Sequence, residues 1–265
     1  MLKTSASFVL ASLRGSTYRS VRLAPSLAAA LPDGLFEHPA GSCETGMSDR
    51  ISPGVMHCGS SDSTDHLSKV DPVMRRLIEE IGPFSLKPRI RRSPFESLAR
   101  AIAFQQLHDK AAESILRRFI ALFPGRRFPR PDELLAMHMR SIRKAGFSRP
   151  KILALRDLAT KTLDGTVPTN RMIRQLADEA IIRRLIEVRG IGQWTVEMLL
   201  IFQLGRPDVL PIDDFGLRNG FRIVYRRPTM PTPKQLLQYG ERWRPYRTAA
   251  AWYLWRATDR AKAGS

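Results

Sequence analysis

The sequence has few cysteines, few aromatic residues and no long apolar run. Its two cysteines, Cys43 and Cys58, are too few for a four-cysteine zinc site or an iron–sulfur cluster. No disulfide framework is expected, which favours a reducing, intracellular compartment. The five histidines show no metal-ligand spacing, so we expect no metal site. No segment reaches the length of a membrane-spanning helix, and we expect no membrane association.

Acidic residues are also scarce relative to basic ones. The chain has 25 Asp and Glu against 43 Lys and Arg, a formal net charge of +18. Such a surplus favours a polyanionic partner, because each Lys or Arg that meets a phosphate releases a condensed counterion. Ribosomal and membrane-surface proteins are basic too, so charge alone identifies no partner. Aromatic residues make up 8% of the chain, which argues against a surface that mainly stacks single-stranded bases.

Residues 1–65 differ from the rest in composition. They are rich in Ser, Ala, Gly and Pro, and all charged residues before Pro32 are basic. This pattern is typical of a disordered leader, and also of a targeting peptide. A third interpretation is a spurious extension, with Met47 or Met56 as the true start. We therefore predict a leader over residues 1–65 and a folded domain over 66–265.

From His66 onward the apolar residues recur with helical spacing. Asp71-Pro72 predicts a capped helix that ends near Ile81, and Ser93 with Glu96 predicts a capping box before a second helix, whose apolar face extends to Leu107. No sustained strand pattern is present, so the predicted fold class is all-α. Further helices are predicted at 110–123, 131–145, 149–163, 169–176, 178–188, 194–204, 214–225, 232–242 and 246–261.

The most informative segment is 185–204, two helices joined by Gly190-Ile191-Gly192. The two glycines allow a tight turn and leave amides exposed at the start of the second helix, where a phosphate can bind. Ile191 is expected to fill the space between the helices. A bare Gly-x-Gly turn is usually only a helix cap, but here it lies within the longer pattern L-x-x-V-x-G-I-G-x-W-T.

That longer pattern resembles the helix-hairpin-helix superfamily of DNA glycosylases, over about residues 66–260. The segment from Asp208 to Gly220 resembles the superfamily's Gly/Pro-rich loop and its catalytic aspartate. The resemblance implies two helical subdomains that flank a cleft, double-stranded DNA as the partner, and a monomer. It also implies that a monovalent cation can bind hairpin carbonyls, with no other cofactor.

The residue at position 194 distinguishes branches of the superfamily. Bifunctional members have a lysine there that forms a Schiff base, whereas this chain has Trp194, which has no nucleophilic amine. The cysteine cluster of the iron–sulfur branch is absent after residue 220. Both departures point to the 3-methyladenine DNA glycosylase II (AlkA-like) branch. Asp214, twenty residues after Trp194, is then the catalytic carboxylate, and the adjacent Asp213 is its competitor and the expected helix cap.

The resemblance also assigns the other residues of the site. Trp252 and Trp255 lie on one helix face and can both be core; we assign Trp252 to packing and Trp255 to the pocket. The wedge residue is left open between two neighbours, and His108 has no assigned role. The expected base pocket comprises Trp194, Trp255, Gln105 and Phe104; the expected wedge is Gln106 or Leu107; the expected phosphate ligands are Gly190, Ile191, Gly192, Thr195, Ser148 and Lys151.

The sequence therefore predicts a monofunctional glycosylase that flips and excises alkylated purines in base excision repair. The main alternative is a non-catalytic protein that uses the hairpin only to bind DNA. An oxidised-base glycosylase with lyase activity is a second alternative, and an RNA-binding protein a third. The expected location is the cytoplasm or nucleoid if the source is bacterial, and the nucleus or mitochondrion if it is eukaryotic.

Overall fold

A computed structural model describes residues 60–123, 125 and 128–263, and the regular structure in these ranges is entirely helical. The all-α prediction is thus confirmed. Of the predicted leader over residues 1–65, residues 1–59 lie outside the described residues. The helices are α1 Ser60–Val70, α2 Pro72–Ile81, α3 Pro94–Phe104, α4 Asp109–Ile120, α5 Pro131–Ala136, α6 Met139–Lys144, α7 Arg149–Leu163, α8 Asn170–Gln175, α9 Asp178–Leu185, α10 Gln193–Leu199, α11 Phe215–Val224, α12 Pro233–Gly240 and α13 Arg247–Ala263.

Two groups of helices share one hydrophobic core. In the first group α11 packs against α13, and α13 packs against α1 and α2; in the second, α3 packs against α4, α7 and α10. The chain enters the second group at α3 and returns to the first at α11. Since α10 is continued by a π-helical turn, Leu200–Leu204, the second helix of the hairpin reaches towards the first group. The predicted pair of helical subdomains corresponds to these two groups.

Four sequence predictions need correction. Residues 60–65, predicted as part of the leader, lie on helix α1, and Ser63 among them is buried. The predicted helix over 131–145 is two helices, since His138 caps a new one by accepting from the Arg140 amide. Leu107 lies beyond the end of α3. At Ser93 only half of the capping box forms, because Glu96 accepts instead from Arg100 at 2.8 Å.

A buried aspartate holds the first group of helices together. Asp71, 1% exposed, accepts from the Val73 and Met74 amides and so caps α2 as predicted. Its other oxygen, Oδ2, accepts from the Tyr225 hydroxyl at 2.6 Å and from the Trp243 indole at 3.0 Å. This carboxylate satisfies donors from three elements that the chain brings together from a distance. A buried charge is tolerated here because hydrogen bonds surround it.

The crossing of α11 and α13 fixes the position of the residues that precede α11. Gly220 lies directly against the backbone carbonyl of Leu254, where any Cβ atom would clash. The Thr258 hydroxyl, also on α13, donates to the Gly216 carbonyl at 2.8 Å. The N-terminus of α11, with Asp213 and Asp214 just before it, is therefore held at a fixed position along α13.

No helix in the described part of the chain is long and apolar enough to cross a membrane.

Removing the charge of Asp71 should destabilise the fold. In Asp71→Asn, the amide NH₂ faces groups that are themselves donors, so we expect a loss of about 3 kcal/mol in the free energy of unfolding. Asp65→Asn, at an exposed position on α1, is the matched control and should change stability by under about 0.5 kcal/mol. Urea unfolding followed by circular dichroism measures both, and equal stability of the two variants would contradict the role given to Asp71.

Candidate active site at the junction of hairpin and α11

Asp214 lies where the two groups of helices meet, and three donors surround its carboxylate. Oδ1 accepts from the Leu217 amide at 2.6 Å and from the Trp255 indole at 2.9 Å. Oδ2 accepts from the Trp194 indole at 2.8 Å. The side chain is 4% exposed. All three partners are donors, which is the pattern of an ionised, acceptor-only carboxylate.

The arrangement differs from the prediction in one respect. Asp213 was expected to cap α11, but Asp214 is the residue that caps it, through its bond to Leu217. Asp213 is exposed. A carboxylate oxygen accepts about two hydrogen bonds, so Oδ1 is saturated while Oδ2 retains one acceptor site. Asp214 thus serves as cap and as functional candidate at once, with a single oxygen available to a substrate.

The two tryptophans hold Asp214 from opposite subdomains. Trp194 lies on α10 and is partly exposed, whereas Trp255 lies on α13, is 8% exposed and stacks on Phe202 with ring centroids 5.7 Å apart. Trp252 is buried and packs edge-on against Phe84, as expected for a packing residue. Trp194 and Trp255, two of the aromatic side chains predicted for the pocket, therefore meet at Asp214. The third, Phe104, lines a neighbouring cleft between α3 and α10, together with Phe202, the ring that stacks on Trp255.

The hairpin has the predicted geometry. Gly190 adopts φ +77°, a conformation that favours glycine, and Ile191 is buried between the helices with Leu185 and Val188. Gly190 and Gly192 are exposed, and their amides make no hydrogen bond within the described part of the chain. These two amides fit the expected phosphate site, which stays a prediction. Ser148, exposed at the start of α7, also stays a predicted phosphate contact.

Three of the predicted phosphate ligands have other partners. The Ile191 amide donates to the Val188 carbonyl at 3.0 Å and so closes the turn. Thr195 is 8% exposed, and its amide donates to the Gly192 carbonyl. The Lys151 ammonium donates to the Ala103 carbonyl at 2.7 Å. We therefore assign these residues to the support of the hairpin and of α3.

Helix α7 supports the hairpin through two residues that the sequence analysis missed. Asp157 accepts from the Arg189 amide at 2.7 Å, and Lys161 donates to the Glu187 carbonyl. The two side chains also form an ion pair at 3.2 Å. The i, i+4 spacing of these charges on α7 is visible in the sequence, but it normally indicates only a surface pair.

Gln105 joins the end of α3 to the hairpin. It was predicted to face the base pocket, but its side-chain amide donates to the Gly190 carbonyl at 2.9 Å. The next residue, Gln106, is exposed and has φ +58°. A non-glycine residue in this region is rare and is concentrated at functional sites. The turn thus presents Gln106 at its tip and leaves Leu107 half-buried, which favours Gln106 as the wedge; that role stays a prediction.

A second buried carboxylate lies near Asp214. Glu197, on α10, is 6% exposed and accepts from the Gln193 side chain at 2.9 Å. Burial raises the pKa of Glu197; the bond from Gln193 opposes this, and the charges of Asp213 and Asp214 raise the pKa further. The sequence analysis missed this residue because a single Glu in a helix carries no signal of burial.

A monovalent cation was expected on the hairpin carbonyls. Those oxygens are hard donors of the kind that bind such ions. Three of them already accept hydrogen bonds, Glu187 from Lys161, Val188 from the Ile191 amide and Gly190 from Gln105. The Lys161 ammonium itself brings a positive charge to the turn.

In residues 60–123, 125 and 128–263, no three His, Cys, Asp or Glu side chains form a group that could hold a metal ion.

The family model described as "HhH-GPD superfamily base excision DNA repair protein" matches residues 99–245, from α3 to the start of α13. The match spans the hairpin and Asp214 and more than half of the chain. The chain therefore belongs to the helix-hairpin-helix superfamily of base excision DNA repair proteins.

Several of the similar proteins are named as 3-methyladenine DNA glycosylases or glycosidases. DNA-3-methyladenine glycosylase 1 of Schizosaccharomyces pombe is 43% identical over 197 residues, which cover 74% of this chain and 86% of that protein. A structure of 3-methyladenine DNA glycosylase from the same yeast, in complex with abasic DNA, has a TM-score of 0.67 at 43% identity and covers 73% of this chain and 95% of that one. A DNA-3-methyladenine glycosidase from Bacillus halodurans has a TM-score of 0.69 at 31% identity, over 78% and 92%.

Lys151 should give the protein a pH-dependent stability. Burial lowers the pKa of Lys151 to about 8, from an ordinary value of 10.5. Between these values the unfolded chain holds a proton that the folded chain has released, so this residue makes the free energy of unfolding rise with pH. The difference in stability between the wild type and Lys151→Met should therefore shift in favour of the wild type from pH 8 to 10.5.

Urea titrations at a series of pH values measure this difference. Lys144→Met, at an exposed position on α6, is the control, and its stability should run parallel to that of the wild type. Parallel curves for Lys151→Met as well would show that Lys151 keeps its ordinary pKa.

Proposed function

We propose that the protein is a monofunctional DNA glycosylase that hydrolyses the N-glycosidic bond of alkylated purines, of the 3-methyladenine and 7-methylguanine type. The observation that carries the proposal is the Asp214 carboxylate, fixed between the indoles of Trp194 and Trp255 beside an exposed glycine hairpin. The related glycosylases of yeast and Bacillus support the same substrate class.

The DNA is held by its backbone before any base is read. The exposed amides of Gly190 and Gly192 lie at the start of α10, where a helix attracts a phosphate. Lys and Arg side chains add salt-dependent affinity without sequence information. No role in binding is assigned to a cation on the hairpin, because the carbonyls of Glu187, Val188 and Gly190 already accept hydrogen bonds. The damaged nucleotide must leave the stack, at a cost of a few kcal/mol, and Gln106 at the tip of its turn fills the gap.

Asp214 acts on the sugar as the bond breaks. Cleavage of the C1′–N bond leaves the electron pair on the purine and builds positive charge on the sugar, as in glycoside hydrolysis. The remaining acceptor site on Oδ2 faces that charge or accepts a proton from the attacking water, whose oxygen bonds to C1′. The three donors around the carboxylate keep it in place without a metal or organic cofactor.

The positive charge of an alkylated purine is the property by which the enzyme would select damaged bases. An N3- or N7-alkylated purine carries a positive charge, which makes the purine a good leaving group. The electron-rich face of the partly exposed Trp194 attracts such a base by a cation–π interaction, and the ring of Trp255 borders the same carboxylate.

We propose that the enzyme acts as a monomer wherever its DNA lies, in the nucleoid, the nucleus or the mitochondrion.

Asp214→Asn should strongly slow release of 3-methyladenine and leave DNA affinity nearly unchanged. The substitution keeps the shape of the side chain but removes the charge that stabilises the sugar, and we expect a loss of at least ~10²-fold in single-turnover rate. The measurement is chromatography of bases freed from methylated DNA. Asp213→Asn, at the exposed neighbouring position, is the control and should retain activity; an active Asp214→Asn would reject the assignment, and an inactive wild type would favour the non-catalytic alternative.

The absence of an amine at position 194 should leave the protein without lyase activity. A Schiff base requires an amine nucleophile, such as that of lysine, and the only N–H of the Trp194 side chain donates to Asp214. Borohydride should therefore trap no covalent complex on methylated DNA under conditions in which bases are released. A trapped complex that survives denaturing electrophoresis would show that another amine attacks the sugar.

A further inference from the structure

Arg189 lies on the hairpin turn itself, directly before Gly190. Its position is one that the pattern L-x-x-V-x-G-I-G-x-W-T leaves unspecified, so the family resemblance gives this residue no role. Arg189 is exposed, as are Gly190 and Gly192, whose amides form the predicted phosphate site. A permanently charged side chain therefore lies at the edge of that site.

The backbone at Arg189 is fixed by neighbouring elements. The Arg189 amide donates to the Asp157 carboxylate at 2.7 Å, and the next carbonyl along the chain, that of Gly190, accepts from the Gln105 side chain at 2.9 Å. Gly190 also lies against α7, where a Cβ atom would be 3.4 Å from Ala154. The arginine therefore starts from a fixed position beside the glycine amides, and such preorganisation lowers the entropy lost on binding.

An ion pair on α7 leaves the guanidinium of Arg189 available. The carboxylate of Asp157, which contacts the Arg189 amide, is paired with the Lys161 ammonium at 3.2 Å. The same ammonium donates to the Glu187 carbonyl, which keeps it at the turn. Within the described part of the chain the Arg189 guanidinium forms no hydrogen bond and no ion pair. Its five N–H donors are thus available to an anion from outside the protein.

We propose that Arg189 binds a second DNA phosphate, next to the one expected at the amides of Gly190 and Gly192. The planar guanidinium matches two oxygens of one phosphate. Because Arg189 directly precedes Gly190, its side chain reaches the neighbouring phosphate of the same strand rather than a distant part of the duplex. The proposal rests on the proposed function, since it requires the hairpin to face DNA. Contacts of this kind fix the register of the protein on the DNA and carry no sequence information.

Lys161 is the positioning residue for this contact. Asp157 already lies against the Arg189 amide, so an unpaired carboxylate there would compete with DNA for the guanidinium. The Lys161 ammonium neutralises that carboxylate and removes the competition. The ion pair on α7 thereby directs Arg189 towards the DNA.

The test is a binding cycle between Arg189 and single phosphates of the DNA. The full-length protein is titrated with duplexes that contain one abasic site, in which one phosphate at a time is replaced by an uncharged methylphosphonate, and fluorescence anisotropy gives the dissociation constants. For the wild type we expect two adjacent positions at which the replacement weakens binding about tenfold, the order of a hydrogen bond to a charged group. In Arg189→Gln, the effect at one of these positions should fall below about twofold, while the other keeps its effect.

Salt dependence gives a second measurement on the unmodified duplex. Arg189→Gln should weaken binding about tenfold and make the slope of log K against log salt less steep by about 0.9, the change expected for one lost phosphate contact. Arg183→Gln is the matched control, at an exposed position on α9, the first helix of the hairpin. Its affinity should stay within about twofold of the wild type, because salt screens a charge that touches no phosphate.

Lys161→Met tests the positioning role. It should weaken binding about threefold in the wild type and change the affinity of Arg189→Gln by less than about 1.5-fold, because the two residues act through one contact. An equal loss in both backgrounds would overturn the role given to Lys161.

Equal affinity of Arg189→Gln and the wild type, or two methylphosphonate effects that both persist in Arg189→Gln, would overturn the proposal. An equal loss in Arg183→Gln would also overturn it, since only the total charge would then matter. Release of 3-methyladenine by the wild type is a separate measurement. A wild type that releases no base but shows the two adjacent positions, one of them dependent on Arg189, would refute the glycosylase assignment and support this proposal.

Discussion

The structure of the site depends on the hydrogen bonds to one carboxylate. Asp214 connects α11, α13 and α10 through Leu217, Trp255 and Trp194, and in doing so it joins the two groups of helices. Burial of a charged carboxylate is unfavourable unless hydrogen-bond donors surround it. Asp214 can therefore carry a negative charge in this buried position because these three groups donate to it. The same contacts that stabilise the junction thereby set the position and the charge of the carboxylate that we propose to be catalytic.

The hairpin and the end of α3 form a second connected unit. Gln105, which follows α3, donates to the Gly190 carbonyl, and Lys151 donates to the Ala103 carbonyl in the last turn of α3. On α7, Asp157 and Lys161 form hydrogen bonds with the backbone of the hairpin. The predicted phosphate site and the predicted wedge residue are therefore fixed relative to each other. A rigid relation of this kind suits the proposed glycosylase, which has to hold a flipped nucleotide beside Asp214.

Helical periodicity and capping residues predicted nearly all of the fold from the sequence. The bounds of α2 and α7 agree with the prediction, because each helix has a proline in its first turn, Pro72 and Pro150, and the apolar spacing is regular. The predictions for Gln105 and Lys151 failed because their side chains bind backbone carbonyls that are far away in sequence. The π-helical turn after Leu199 was missed because it has no sequence signature. Asp214 and the two tryptophans, predicted as site residues from the family resemblance, do lie together. The cap formed by Asp214 and the burial of Glu197 depend on three-dimensional packing.

The most direct test of this account is a double-mutant cycle between Asp214 and Trp194, measured as the single-turnover rate of 3-methyladenine release. Trp194→Phe keeps an aromatic face but removes the indole N–H, and it should slow the wild type about tenfold. If the indole acts through the carboxylate, the same change should alter the residual rate of Asp214→Asn by less than about twofold. Equal slowing in both backgrounds would show that Trp194 and Asp214 act independently, and would contradict the account.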